Sequence, residues 1–341
     1  MYDIITFGSA AQDVFLESNG FEVKKGKNFY AGKGICVPLG SKIPVNNISF
    51  SIGGGATNAA FTFKNQGLKT AWCGMVGDDV VGKKIIENLK RNKISTNFIF
   101  STAKKSTNYS IILSTKDDRT ILVYKGASGE LKKEDIPWKK LKAKLFYLSP
   151  LSGKLVSVFE PIVKFAKENK IKVVVNPDNA QLALPKAKFK KLLSCVDVLI
   201  LNQEEASLAT GFSYKKEKEI FKTLDSWVDG IVIMTKGSFG GVVSDGNYLY
   251  NFKTLKKEKI VDRTGAGDAF GSGFTYSILK FLSEESTNYK INPKDIERAI
   301  QFASANATSC LARFGAKSGL LKKGESALKW GKIEIERKNL K

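Results

Sequence analysis

Short apolar runs alternate with longer amphipathic stretches along most of the chain. IITFG near residue 4, TAWCGMVG at 70, KLFYLSP at 144, IKVVVNP at 171, VDVLILN at 196 and GIVIMTKG at 230 are rich in β-branched residues and end on turn-forming ones. Each reads as a strand. Helical patterns such as KLVSVFEPIVKFAKEN at 154–169 separate them. This alternation predicts βαβ units and a mostly parallel sheet covered by helices on both faces.

Two regions break the rhythm. Residues 14–52 and 98–126 carry short strand-like pieces (FEVKKGKNFY, NISFSI, NYSIILST, RTILVYKG) split by polar turns, which predicts a small β-sheet beside the main domain that could close over a ligand. From 321 onward LKKGESALKWGKIEIERKNLK is basic and weakly patterned, and reads as a surface helix or a frayed end.

With 341 residues and 43% hydrophobic content, the chain can build one large α/β domain or two smaller ones. The apolar runs fall far short of the roughly 20 residues that span a bilayer. No signal peptide is legible at the N-terminus, and the four cysteines form no CxxC pair. The expectation is a soluble protein of a reducing cytoplasm, without a membrane partner; the acceptor-like string NYS at 108 is then a chance match.

A net charge of +22 raises the alternative of a nucleic-acid-binding protein. The excess is nearly all lysine, scattered through KKGK at 24, KKED at 132, KKEKE at 215 and KKEK at 256, with no interleaved aromatic platform. A solvated surface with no specific nucleic-acid partner is the favoured reading. Histidine is absent, which removes Ser-His-Asp and Cys-His chemistry and every His-ligated metal site. Any general base is then most simply a carboxylate.

The string from Asp262 through Thr264, Gly265, Ala266, Gly267 and Asp268 to Phe274 is a glycine turn running into an apolar helix. Small residues at 265–267 let the backbone approach an anion, and the following helix points its unpaired N–H groups and positive dipole end there. Asp268 sits in the same turn, where a carboxylate can accept the proton of a hydroxyl attacking phosphorus. On residues alone, Thr264 or Asp268 capping a helix would explain the letters too.

That string resembles the C-terminal signature of the ribokinase-like, or PfkB, family of carbohydrate kinases. Gly53-Gly54-Gly55-Ala56-Thr57-Asn58 is similar to the family's N-terminal glycine motif, and the resemblance implies that Gly54, Gly55 and Asn58 hold sugar hydroxyls; alone, three glycines are more often a tight turn. GSAAQDVFL puts Asp13 where the family has a substrate-binding aspartate. Asn202-Gln203-Glu204-Glu205 resembles the NxxE motif, which implies that Glu205 organises Mg²⁺ through its water shell. A helix N-cap with a capping-box glutamate fits those letters nearly as well. Thr235-Lys236-Gly237 follows the strand GIVIM, where the family contacts ATP, and Asn306 lies in a segment similar to the adenine-side helix. The family often has a cation loop beside its anion hole, which makes Asp262 and the Thr264 carbonyl candidate ligands for K⁺. Gly77–Lys84 is no Walker A loop, because Lys84 stands where a hydroxyl is needed.

The resemblance covers roughly residues 3–320. It implies a three-layer α/β sandwich over residues 1–320, with a mostly parallel central sheet, a small β lid within 14–52 and 98–126, and a basic tail at 321–341. The implied activity is Mg-ATP-dependent phosphorylation of a hydroxyl on a small sugar-like substrate. Asp268 is then the base, and Gly265, Ala266 and Gly267 form the anion hole. A nucleoside or phosphosugar kinase, or an inactive ligand sensor on the same scaffold, uses similar letters. Lid strands exposed at an edge could pair in a homodimer.

Overall fold

The computed structural model describes residues 1–27, 29, 32–115, 119–255, 260–283 and 291–340. The lysine run KKEK at 256–259 and positions 28, 30, 31 and 116–118 of the two irregular regions lie outside the described residues. The strands are β1 (Tyr2–Phe7), β2 (Ala11–Glu17), β3 (Glu22–Lys25), β4 (Lys33–Cys36), β5 (Asn47–Gly53), β6 (Thr70–Gly77), β7 (Ser95–Thr102), β8 (Asn108–Ser114), β9 (Arg119–Tyr124), β10 (Ala143–Leu148), β11 (Lys172–Val175), β12 (Val198–Asn202), β13 (Ile231–Thr235), β14 (Gly241–Ser244), β15 (Tyr248–Phe252) and β16 (Ile335–Asn339). The helices are α1 (Gly55–Asn65), α2 (Val80–Arg91), α3 (Phe159–Glu168), α4 (Asn179–Leu182), α5 (Lys186–Leu193), α6 (Gln203–Thr210), α7 (Glu217–Asp225), α8 (Ala266–Ser283) and α9 (Pro293–Leu311).

The main sheet runs β16-β15-β14-β13-β12-β11-β10-β1-β6-β7. From β13 to β7 every pairing is parallel, while β14–β16 continue the edge antiparallel. The apolar runs of the sequence are these parallel strands. Their side chains alternate between two cores, because successive residues of a strand point to opposite faces. Ile5, Phe146 and Val173 join Ile162, Phe189 and Ile220 of α3, α5 and α7 on one side. Ile4, Leu145 and Val174 join Phe63, Phe274 and Ile300 of α1, α8 and α9 on the other. The result is a three-layer α/β sandwich. Among the described residues, no helix is long and apolar enough to cross a membrane.

A separate four-stranded sheet, β5-β2-β8-β9, is the lid. Three details differ from the pattern-based reading. Residues 98–102 belong to β7, the edge of the main sheet, where they pair parallel with β6. EVKK forms β3, which among the described residues pairs with β4 in a two-stranded ribbon apart from the lid sheet. The tail is neither a surface helix nor a frayed end at 335–339, because β16 takes the open edge of β15 in five-residue register. Its polar, alternating letters gave no strand signal because an edge strand buries little.

Candidate active site

β1 and β10 are central parallel neighbours; the turn leaving β1 packs on Gly54, and the turn leaving β10 meets the N-termini of α1 and α8 where Ser149, Gly55 and Asp268 come together. Asp268 lies in the first turn of α8, and its Oδ2 accepts a 2.8 Å hydrogen bond from Nδ2 of Asn58 on α1, 210 residues away in sequence. Burial raises its pKa, opposed by the Asn58 amide and the positive charge of Lys317. Its carboxylate is therefore turned to a distant helix. Thr264 Oγ1 has no hydrogen-bond partner, so it does not cap α8 either.

The three glycines ahead of α1 each make room for something different. A Cβ on Gly53 would stand 2.0 Å from Asp13 Oδ2, and one on Gly55 would stand 3.2 Å from Asp268 Oδ1. Gly54 has φ +95° and presses on the backbone leaving β1, where a Cβ would meet the Ser9 carbonyl at 2.5 Å. Asp13 is thus packed against the turn from lid strand β2 and is 4% exposed. Burial raises its pKa to about 6; the Ser110 hydroxyl and Lys317 pull it down, while Asp262 and Asp268 push it further up.

On the other side of Asp268, Gly265 has φ +77° and packs so closely on Ala316 that a Cβ would lie 2.3 Å from the Ala316 methyl. Gly267 is exposed, with open space where its Cβ would be. An anion therefore has access to the start of α8 at Gly267, while Gly265 shapes the turn. Asp262 clamps this turn to the loop after α9: its Oδ1 accepts from the Thr264 amide at 2.9 Å and its Oδ2 from the Gly315 amide at 3.0 Å. The Thr264 carbonyl accepts a weak contact from Cys310 Sγ at 3.7 Å.

Asn202 and Thr235 are register partners at the ends of β12 and β13, which sets the two nucleotide-side motifs beside each other. Asn202 and Glu205 do form a reciprocal capping box, with Asn202 Oδ1 accepting from the Glu205 amide at 2.9 Å and Glu205 Oε2 accepting from the Asn202 amide at 2.8 Å. Burial, with Asp178 and Glu204 nearby, nevertheless raises the Glu205 pKa to about 7. A carboxylate held in that state fits a hydrated divalent cation, which would favour its charged form. Lys236 spends its ammonium on Glu217 at 2.6 Å, and Gly237 follows in a left-handed turn at φ +55°.

Asn306, the residue of the adenine-side segment, lies between helices. It is fully buried, donates to the Ala269 carbonyl at 2.8 Å and accepts from the Leu321 amide at 2.9 Å. Its amide staples α9 to α8 and the following loop. Conversely, the motifs left out Lys317, whose lysine looks like the many surface ones, and Ser149, which follows β10. Asn58 Oδ1, Ser149 Oγ and Tyr147 Oη are buried without partners. Ser149 Cβ and Asp268 Oδ1 both lie within 3.3 Å of the same point, the Cβ position of Gly55, and the Asp268 charge reaches Tyr147. Unpaired buried polar atoms beside a raised carboxylate are what a hydroxyl-rich ligand would satisfy.

Comparison with known proteins adds an independent line. A family model described as pfkB family carbohydrate kinase matches residues 1–323. A ribokinase of Lactococcus lactis is 29% identical over 290 residues, spanning 83% of this chain and 87% of that protein. Among solved structures, a ribokinase from Giardia lamblia superimposes with a TM-score of 0.78 at 22% identity, covering 95% of this chain and 98% of the other. A nucleoside kinase from Methanocaldococcus jannaschii gives 0.72 at 19% identity, covering 97% and 98%.

Proposed function

This chain belongs to the pfkB family of carbohydrate kinases, and on that premise we propose that it transfers the γ-phosphoryl group of ATP to a hydroxyl of a small sugar. The observation that carries the reading is the Asp268–Asn58 hydrogen bond, which sets a carboxylate of raised pKa between two glycine turns. Gly54, Gly55 and Asn58 of one turn, with Asp13 packed on it from β2, face the sugar hydroxyls. The other presents Gly265, Ala266 and Gly267 to the phosphoryl group.

In this reading the acceptor hydroxyl lies against Asp268, which takes its proton as the oxygen forms a bond to the γ-phosphorus. The bond between that phosphorus and the β–γ bridging oxygen breaks, and ADP leaves with the bond's electron pair. The backbone at 265–267 stabilises the charge on the transferring group. The backbone at 235–237 and Asn202 line the nucleotide half, since the Lys236 ammonium is committed to Glu217. Glu205 would hold Mg²⁺ through water, and the ion would neutralise phosphate charge. Asp262 and the Thr264 carbonyl are the candidates for K⁺; rates that agree in K⁺, Na⁺ and a bulky organic cation at equal ionic strength would remove that ion. Pairing of lid edges in a homodimer and a cytoplasmic location belong to the same reading.

Ribokinase relatives favour a free pentose as acceptor. The test is ADP release with Mg-ATP against free sugars, sugar phosphates and nucleosides. Turnover led by D-ribose or a similar free sugar is the expected result, and turnover led by a nucleoside would move the substrate class. No ADP release above background with any acceptor would overturn the kinase reading.

A further inference from the structure

The loop after α9 reaches the sugar side of the site through Phe314, whose ring lies 4.5 Å from that of Phe15 on β2, and through the charged side chain of Lys317. Its Nζ donates to the Ile52 carbonyl at 2.7 Å and to Thr57 Oγ1 at 3.0 Å, and stands 4.9 Å from the centre of the Phe61 ring. Thr57 Oγ1 in turn lies 2.7 Å from the Gly53 carbonyl and 3.1 Å from that of Gly54. An ammonium thus holds the backbone on which Asp13 and Asp268 are packed. Immediately before it, Gly315 donates to Asp262, and Ala316 packs on Gly265. Three consecutive residues therefore tie the phosphoryl turn to the sugar turn.

The charges around Lys317 are Asp13 on β2 and Asp268 on α8, with Asp262 acting on Asp13. Lys84 of α2 shares with it a cavity of about 290 Å³ that also takes in Gln12, Phe50 and Asn88. An ammonium removed from water is costly unless opposite charge and acceptors surround it, and here both do. Burial lowers its pKa to about 7, against the pull of the two carboxylates.

Resting on the kinase reading, we propose that Lys317 is a positioning residue for the acceptor sugar: its protonated ammonium fixes the 53–57 turn and offsets the charges of Asp13 and Asp268, so that both stay ionised together. Removing the cation should push the Asp268 pKa higher still, because a neighbouring positive charge favours the carboxylate. Losing the proton should loosen the turn and weaken sugar binding before ATP binding.

The test compares the pH dependence of kcat/KM for the accepted sugar, at saturating ATP, in the wild type, Lys317→Arg and Lys317→Met. The wild type should show a bell with a descending limb near the lysine's pKa of about 7. Lys317→Arg, always charged, should fold, retain activity and lose that limb. Lys317→Met should raise the sugar KM roughly tenfold or more, leave the ATP KM within about twofold, and move the ascending limb up by about one pH unit, the size of a shift that one nearby charge produces. Profiles that differ only in height would overturn the proposal, since a merely structural contact moves stability and not the limbs. A readout free of turnover is the titration of ¹³C-labelled lysine side chains by NMR: one resonance should titrate far below the ordinary lysine range and vanish in Lys317→Arg. Turnover without such a resonance sinks the lysine alone, whereas the resonance without turnover on any acceptor sinks the kinase reading and this role with it.

Discussion

Asp268 owes its chemistry to burial, which disfavours its charge, set against two neighbours that favour it, the Asn58 amide and the Lys317 ammonium. Asp268→Asn keeps the shape and removes the proton acceptor, so turnover should fall about 10²- to 10⁴-fold with no loss of melting temperature; a mutant within a few-fold of wild-type turnover would refute the base assignment. Because the base acts ionised and its pKa is raised, activity should climb with pH through a limb above the ordinary carboxylate range. The two glycines of the phosphoryl turn should part company under substitution. Gly265→Ala places a methyl 2.3 Å from that of Ala316 at a left-handed φ, and should cost about 1–3 kcal/mol of stability in a denaturant titration. Gly267→Ala meets open space; it should fold normally and lower kcat by crowding the phosphoryl group.

At the scale of elements, the site depends on how α1, α8 and α9 are pinned together. Asn306 does this from α9, reaching Ala269 of α8 and Thr62 of α1. Asn306→Ala should therefore cost about 1–3 kcal/mol, the usual penalty for orphaning buried partners, and leave the ATP KM unchanged; a large rise in that KM at unaltered stability would return Asn306 to the nucleotide pocket. The capping box of α6 behaves differently. Glu205 has a folded pKa of about 7 against an ordinary glutamate value of 4.5, so the folded state binds more protons between those values and wild-type stability should fall as pH rises through them. Glu205→Gln removes that cost: its melting temperature should exceed the wild type's at pH 8 and approach it at pH 4. Parallel pH profiles would show that the Glu205 charge carries no such burden.

Over the whole molecule the charge of +22 is spread in lysine-rich segments. ATP encounter should quicken at low salt, whereas the phosphoryl site works through short contacts that salt screens far less. Nucleic acid should bind weakly, without sequence preference and with a steep salt slope in a titration at several ionic strengths; tight, sequence-selective binding at physiological salt would contradict this. Much of the architecture was legible from local signals. The parallel strands were visible because both their faces are buried and their runs are near-continuously apolar, and the glycine turns because backbone approach to an anion restricts residue type. β7 and β16 were not, since edge strands bury too little to leave a pattern. By itself the sequence determined the six apolar strands of the parallel sheet, the two glycine turns and the carboxylate beside one of them. Only the tertiary structure decided that Asn58 meets Asp268, that Asn306 ties α9 to α8 and that the Lys317 ammonium reaches the Ile52 carbonyl and Thr57. Such contacts join segments far apart in the chain, and burial and charge at that range depend on packing that no local pattern encodes.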